Sequence, residues 1–233
     1  MSSGFKHLMC GVLAVGAFAL AGAVPAVAGD YNGNFMIRLQ ATDLLTQDQL
    51  KSLNDKFGTD YKAAGYDAEV SDAILPTATL TYFLNKNLAV ELLCCFSKHS
   101  VELYNPAGTN LGSVAEAWIF PPALTLQYHL DAKGFKPYVG AGLQYVHFFG
   151  TGTGDNAVGE ESVSFSDAWG PIIQAGVDVE LGKGWYLNAD VKKSWLETTV
   201  DWKSNGQTDV TAKDSLDPLV ISLGIGYRFD LFK

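Results

Sequence analysis

The stretch Leu124-Thr125-Leu126-Gln127-Tyr128-His129-Leu130 places an apolar side chain at every second position. In a strand, successive side chains point to opposite faces, so this segment has one apolar face and one polar face. A soluble protein turns the apolar face inward. A barrel in the outer membrane turns it outward, into lipid. The rest of the chain decides between the two.

Eight segments read as strands: Asn34–Thr42, Ile74–Leu84, Leu88–Ser97, Trp118–Leu130, Lys136–Phe149, Asp167–Leu181, Trp185–Trp202 and Leu219–Phe229. Three connections are short, at Asn85–Asn87, Asp131–Phe135 and Gly182–Gly184, and carry the Asn, Asp and Gly that tight hairpins need. Four are long and polar, at Asp43–Ala73, Lys98–Ala117, Gly150–Ser166 and Lys203–Pro218. Short and long connections strictly alternate, as in an up-and-down barrel with short periplasmic turns and long extracellular loops.

The same alternation recurs along the other strands. Leu219, Ile221, Leu223, Ile225, Tyr227 and Phe229 share a face opposite Val220, Ser222, Gly224, Gly226 and Arg228. Inward, the apolar faces would overfill a small barrel and leave a water-facing wall built largely of Gly, Thr and Gln. Outward, they form a lipid-facing band. Tyr82, Tyr128, Tyr138, Trp185 and Tyr227 form one aromatic girdle near the short turns, and Trp118, Phe149, Trp169, Trp195 and Trp202 form another near the long loops. The expected fold is therefore an all-β, eight-stranded antiparallel transmembrane barrel. The competing reading is a secreted soluble barrel.

The N-terminus agrees with an envelope destination. Lys6 and His7 precede an apolar run that ends in Ala26-Val27-Ala28, the pattern of a secretory signal peptide over residues 1–28. The barrel domain is then residues 29–233. Cys10 stands at the start of the apolar run rather than after it, so a lipoprotein is not expected. The formal net charge of −9 argues against nucleic acid and against a basic membrane-surface module. Cys94 and Cys95 are neighbours that point to opposite faces, so no disulfide is expected between them.

"WIFPPALTLQYHL", "KPYVGAGLQYVHFF" and the closing "LGIGYRF" resemble the fourth, fifth and last strands of the outer membrane protein W (OmpW) family. That resemblance implies an eight-stranded barrel in the bacterial outer membrane. It also implies passage of small hydrophobic molecules, or service as a bacteriocin receptor. The chain departs from the family pattern in continuing past Phe229 with Asp230-Leu231-Phe232-Lys233, so Phe229 and Phe232 are both candidates for the signal read by the assembly machinery.

Eight strands enclose room only for side chains or one small ligand. The inward residues near the periplasmic end are polar: Arg38, Glu91, His129, Asp178, Glu180, Asn188, Asp190, Lys192 and Arg228. Buried charges of both signs require pairing, so an ion-pair floor is expected. Near the outer end lie Leu75, Leu93, Val146, Phe148, Ile172 and Leu196. This apolar set is either a site for a small hydrophobic solute or the packing of a narrow core. Pro121 and Pro122 lack ladder donors and mark a candidate lateral gap.

His147 falls on the outer face beside Tyr145 and Phe149, with no nucleophile in the pattern, and reads as a belt residue rather than part of an enzyme. No cofactor or metal site is expected. Thr46, Gln49, Leu50, Leu53, Phe57 and Gly58 are spaced as in a short helix near the mouth. Asp155, Glu160 and Glu161 are candidates to bridge lipopolysaccharide through divalent cations. Lys193 falls on the lipid face, marking either a bulge or a contact with lipid phosphate. The expected partners are outer-membrane lipid and lipopolysaccharide, small hydrophobic solutes and the assembly machinery. A structural barrel or phage receptor is the other reading.

Overall fold

The computed structural model describes residues 33–231, apart from 131, 133 and 157–159. The expected signal segment 1–28 with Cys10, and Phe232, lie outside the described residues. In chain order the strands are β1 (Phe35–Leu45), β2 (Gln49–Asp55), β3 (Asp67–Val70), β4 (Ala73–Phe83) and β5 (Leu88–Cys94). There follow β6 (Ser97–Tyr104), β7 (Asn110–Phe120), β8 (Ala123–His129), β9 (Phe135–Thr153) and β10 (Ser162–Phe165). The last are β11 (Ala168–Gly182), β12 (Trp185–Ser194), β13 (Glu197–Ser204), β14 (Gln207–Ser215) and β15 (Leu219–Phe229).

Eight of these close a barrel in the order β1, β4, β5, β8, β9, β11, β12, β15, with every adjacent pair antiparallel and β15 returning to β1. Closure pairs each wall strand on both sides except over outer β4, Ala73–Thr77, which pairs with β1 alone; in hydrocarbon an unpaired backbone group costs several kcal/mol. The short turns behave as their composition requires. Asn85 Oδ1 accepts from the amides of Asn87 and Leu88, both at 2.9 Å. Gly182, Lys183 and Gly184 all take positive φ, which two glycines make inexpensive.

The opening stretch is now placed. Leu124, Leu126, Tyr128 and Leu130 are each about half exposed on the outer wall, while Thr125, Gln127 and His129 are at most 3% exposed in the lumen. Two girdle assignments are corrected. Tyr138 is buried in the lumen, because it precedes the outward Val139 and so shares the inward face of Gly140. Trp202 is buried above the barrel, where its indole donates to Val114 O at 2.8 Å.

The long connections are largely strands rather than polar loops. β6 and β7 pair with each other and extend to β3 and the outer end of β9. β10, β13, β14 and β2 form a second sheet. The two sheets enclose their own core of Leu50, Leu53, Val101, Val163, Val200 and Trp202, with Ala115 and Ala212. Apolar residues in these segments face each other above the membrane, so they do not follow the barrel's inside–outside pattern.

The helix expected after Thr46 is β2. Ser52 pairs with Lys213 and Leu50 with Asp214, leaving Lys51 as an extra residue in a bulge. That insertion brings Leu50 and Leu53 to one face although they are three apart, which mimics a helical period. Phe57 does not join them and is exposed at the hairpin tip. Thr46 caps nothing: its hydroxyl donates to Val70 O at 2.7 Å.

Two expected strands are each broken in two. Pro121-Pro122 separates β7 from β8, and Trp195-Leu196 separates β12 from β13.

Candidate functional site

The lower lumen is a connected ionic floor. Arg38, on β1, sends Nη2 and Nε to the two carboxylate oxygens of Asp178 on β11, at 2.6 and 3.0 Å. Its Nη1 reaches Glu91 on β5 at 2.7 Å and the Thr81 hydroxyl on β4 at 2.6 Å. Lys192, on β12, ion-pairs with Glu91 at 3.3 Å and with Asp190. Tyr138 crosses from β9 to donate to Asp190 at 2.7 Å. A methyl group on Gly176 would sit 2.5 Å from the Tyr138 ring, so the glycine makes room for that crossing. Asn188 donates to Asp178 and accepts from Gln40, at 2.8 and 2.7 Å.

All these groups are buried, and each charge has the partners that burial demands. Six strands, β1, β4, β5, β9, β11 and β12, are thereby tied across the barrel axis. Six of the expected floor residues thus meet in one network: Arg38, Glu91, Asp178, Asn188, Asp190 and Lys192. Arg228 and Glu180 are buried nearby but outside it. The Arg228 guanidinium lies 3.7 Å from the Phe83 ring centre and donates to Gly33 O at 2.6 Å. Glu180 forms no ion pair among the described residues. His129 pairs with Gln127 at 2.9 Å. Tyr138 and Tyr186 were missed as lumen residues. Strict alternation from Val139 and Leu187 would have found both.

Above the floor lies a cavity with about 690 Å³ of space free of atoms, part of it open to solvent. Leu44, Ile119, Val146, Phe148, Leu196 and Leu216 supply most of its apolar wall, with Pro121 and Pro218 at its sides. Of the six expected apolar residues, Val146, Phe148 and Leu196 line it. Leu75, Leu93 and Ile172 do not. Leu93 and Ile172 pack with Ala123, and Leu75 packs with Leu44, Cys95 and Val220, because side chains from facing walls meet across so narrow a barrel. The roof is the core shared by the two extracellular sheets, from which Val200 reaches the cavity.

Beside the prolines the ladder is only partly interrupted. Pro122 O still accepts from the Tyr145 amide at 3.0 Å. The neighbouring strand is interrupted instead. β5 ends at Cys94, and β6 pairs with β3 and β7 rather than with β4. The outer half of β4, from Ala73 to Thr77, pairs with β1 on one side only, because its ladder with β5 begins at Ala78. Pro76 sits in that unpaired half and has no amide proton to offer. A seam therefore runs between outer β4 and β6, and His99 of β6 and Val70 beside it belong to the cavity lining.

Other singled-out residues find local partners. His147 Nδ1 lies 3.0 Å from Asp167 on the outer wall, where Tyr145 also donates to Asp167. Lys193 marks neither a bulge nor a bare lipid contact. It reaches Gln47 Oε1 at 2.7 Å and the Asp217 carbonyl. Cys94 and Cys95 are both free thiols.

Comparison with known proteins agrees with this architecture. Outer-membrane protein y4mB of Sinorhizobium fredii is 32% identical over 198 residues, covering 84% of this chain and 80% of the relative. Outer membrane protein AlkL of Ectopseudomonas oleovorans is 30% identical, covering 88% of this chain and 86% of its own. The crystal structure of OprG from Pseudomonas aeruginosa superposes with a TM-score of 0.77 at 25% identity, covering 88% of this chain and 99% of that one. The OmpW family model matches residues 31–229. This chain is an eight-stranded barrel of the bacterial outer membrane and belongs to the OmpW family.

Proposed function

We propose that the barrel passes small apolar molecules passively, taking them into the upper cavity and releasing them sideways into the bilayer. The observation that carries this reading is the apolar cavity in the upper lumen together with the buried ionic floor in the lower lumen. Burying an apolar solute gains about 25 cal/mol per Å². Descent through Arg38, Glu91 and Asp178 would forfeit that gain and break buried ion pairs. Exit into lipid keeps the solute buried throughout. The seam between outer β4 and β6 is the favoured exit, with Pro121 at the cavity's edge and Pro122 beside it bending the wall. Residues 1–28 serve as the export signal, and the closing aromatic residue serves the assembly machinery. Lipopolysaccharide surrounds the outer girdle.

A receptor reading is favoured by one feature, the folded cap with Phe57 exposed at its tip. Uptake of a hydrophobic fluorescent probe separates the two. Phe148→Asp and Leu196→Asp, each folded by heat-modifiable gel mobility, are expected to lower uptake several-fold. Uptake equal to wild type in both would leave the receptor reading.

A further inference from the structure

The cavity is apolar except for a few side chains, and nearly all of these are already engaged. The Thr46 hydroxyl donates to Val70 O and the Thr198 hydroxyl to Ser166 O, both at 2.7 Å. Gln144 Oε1 accepts from Ser194. His99 uses both ring nitrogens, on Ser71 O at 2.7 Å and Ser97 Oγ at 2.8 Å. Asp214 differs. It is 6% exposed, lines the cavity from β14, and its Oδ1 is buried with no hydrogen-bond partner. A buried carboxylate oxygen left without a donor is costly.

The surrounding charges do not relieve it. Asp48, before β2, and Asp67, on β3, both act on Asp214 as like charges. Lys51, in the β2 bulge, is the cation near it and is engaged with Glu197. His99 is held toward its neutral form by burial. The backbone at Ser215 and Gln49 stabilises the carboxylate in part, but Oδ1 has no donor and no ion pair reaches Asp214 among the described residues, so the upper cavity combines an apolar wall with one free carboxylate oxygen.

We propose that Asp214 is a specificity determinant of the cavity, and that the preferred ligand is an apolar molecule carrying a single primary ammonium head. The head would donate to Oδ1 while its chain packs against Val146, Phe148, Leu196 and Leu216. This rests on the cavity reading above and narrows it. A primary ammonium supplies both a donor to Oδ1 and a positive charge inside the cavity. A halogenated or plain hydrocarbon supplies neither. A hydrogen bond to a charged group favours the amine on the order of tenfold to a hundredfold.

Burial first, and Asp48 second, push the Asp214 carboxyl up to about 7. The preference should therefore be full at pH 8 and fall toward pH 5, where the carboxyl is protonated. Asp48, Asp67, Lys51 and His99 are the other titratable groups facing this site, and of these Asp48, itself pushed up to about 6, changes charge in the same range.

The test uses the folded barrel in lipid nanodiscs, with methyl resonances of Val146, Leu196 and Leu216 followed during titration with heptylamine and with 1-chloroheptane. Each probe partitions into the same lipid, so the ratio of their apparent affinities is compared between proteins. Wild type should favour heptylamine at pH 8 by about tenfold or more relative to Asp214→Leu and Asp214→Asn. Both variants should still bind 1-chloroheptane. An unchanged ratio in the folded variants, or a wild-type ratio that does not move between pH 8 and pH 5, would overturn the proposal. If 1-chloroheptane alone binds wild type, the cavity reading stands and the role of Asp214 falls. If neither probe shifts these methyls, the cavity reading falls with it.

Discussion

At the scale of single residues, Arg38 is the centre of the floor. It is fully buried and divides its donors among Asp178, Glu91 and Thr81. Replacing a buried ion pair as a whole can be neutral, but removing one member leaves uncompensated charge. Arg38→Leu strands Asp178 and removes one of the two cations on Glu91. It is expected to cost about 3–5 kcal/mol, read as a lower midpoint in urea for the folded gel band. A change under about 0.5 kcal/mol, the range of inconsequential surface substitutions, would mean the floor contributes nothing to stability.

At the scale of elements, each wall strand is a two-faced object whose outer face is judged by lipid. Leu126 is about half exposed near the middle of the band, and Thr125 beside it is 2% exposed inside. Leu126→Arg should destabilise by about 2–4 kcal/mol, while Thr125→Val should change little. Equal effects measured by reversible unfolding into urea would contradict the assigned faces. These faces were legible in the sequence because lipid and lumen impose a strict period of two. Elements above the membrane were not. Their apolar residues meet in a separate core, and the bulge at Lys51 gives β2 a spacing that reads as helical. The break in β5–β6 was also invisible, since Cys95 and Phe96 carry no breaker, whereas the missing ladder donors of Pro121-Pro122 marked a candidate gap in the adjacent strand. The floor was legible because charge on an inward face is so costly that it must be deliberate. Which apolar residues line a cavity and which fill gaps depends on packing across the lumen, and alternation does not report it.

At the scale of the whole molecule, the barrel and its extracellular cap are joined by strands that run from one into the other, and the cavity lies where they meet. Acid groups sit at that junction. Asp48 accepts from the Val70 amide at 2.8 Å and so ties the start of β2 to β3. Burial pushes its carboxyl up to about 6, and burial with Asp48 pushes Asp214 up to about 7. In the unfolded chain both titrate near 4. Between about pH 4 and 7 the folded state therefore binds more protons, and stability at this junction falls as pH rises. Amide exchange in β2 and β14, corrected for its intrinsic pH dependence, should be slower at pH 5 than at pH 8. Asp214→Asn should flatten that difference.

The central claim is that an apolar solute occupies the cavity above the ionic floor. The most direct measurement is photolabelling of the folded barrel in lipid bilayers with a diazirine-bearing alkane, followed by peptide mapping. The account predicts adducts at Val146, Phe148, Leu196 and Leu216, reduced by Leu196→Asp and absent from the buried floor around Arg38. Adducts confined to outward residues such as Leu124, Leu126 and Leu143 would show a solute that never leaves the lipid, and would contradict it.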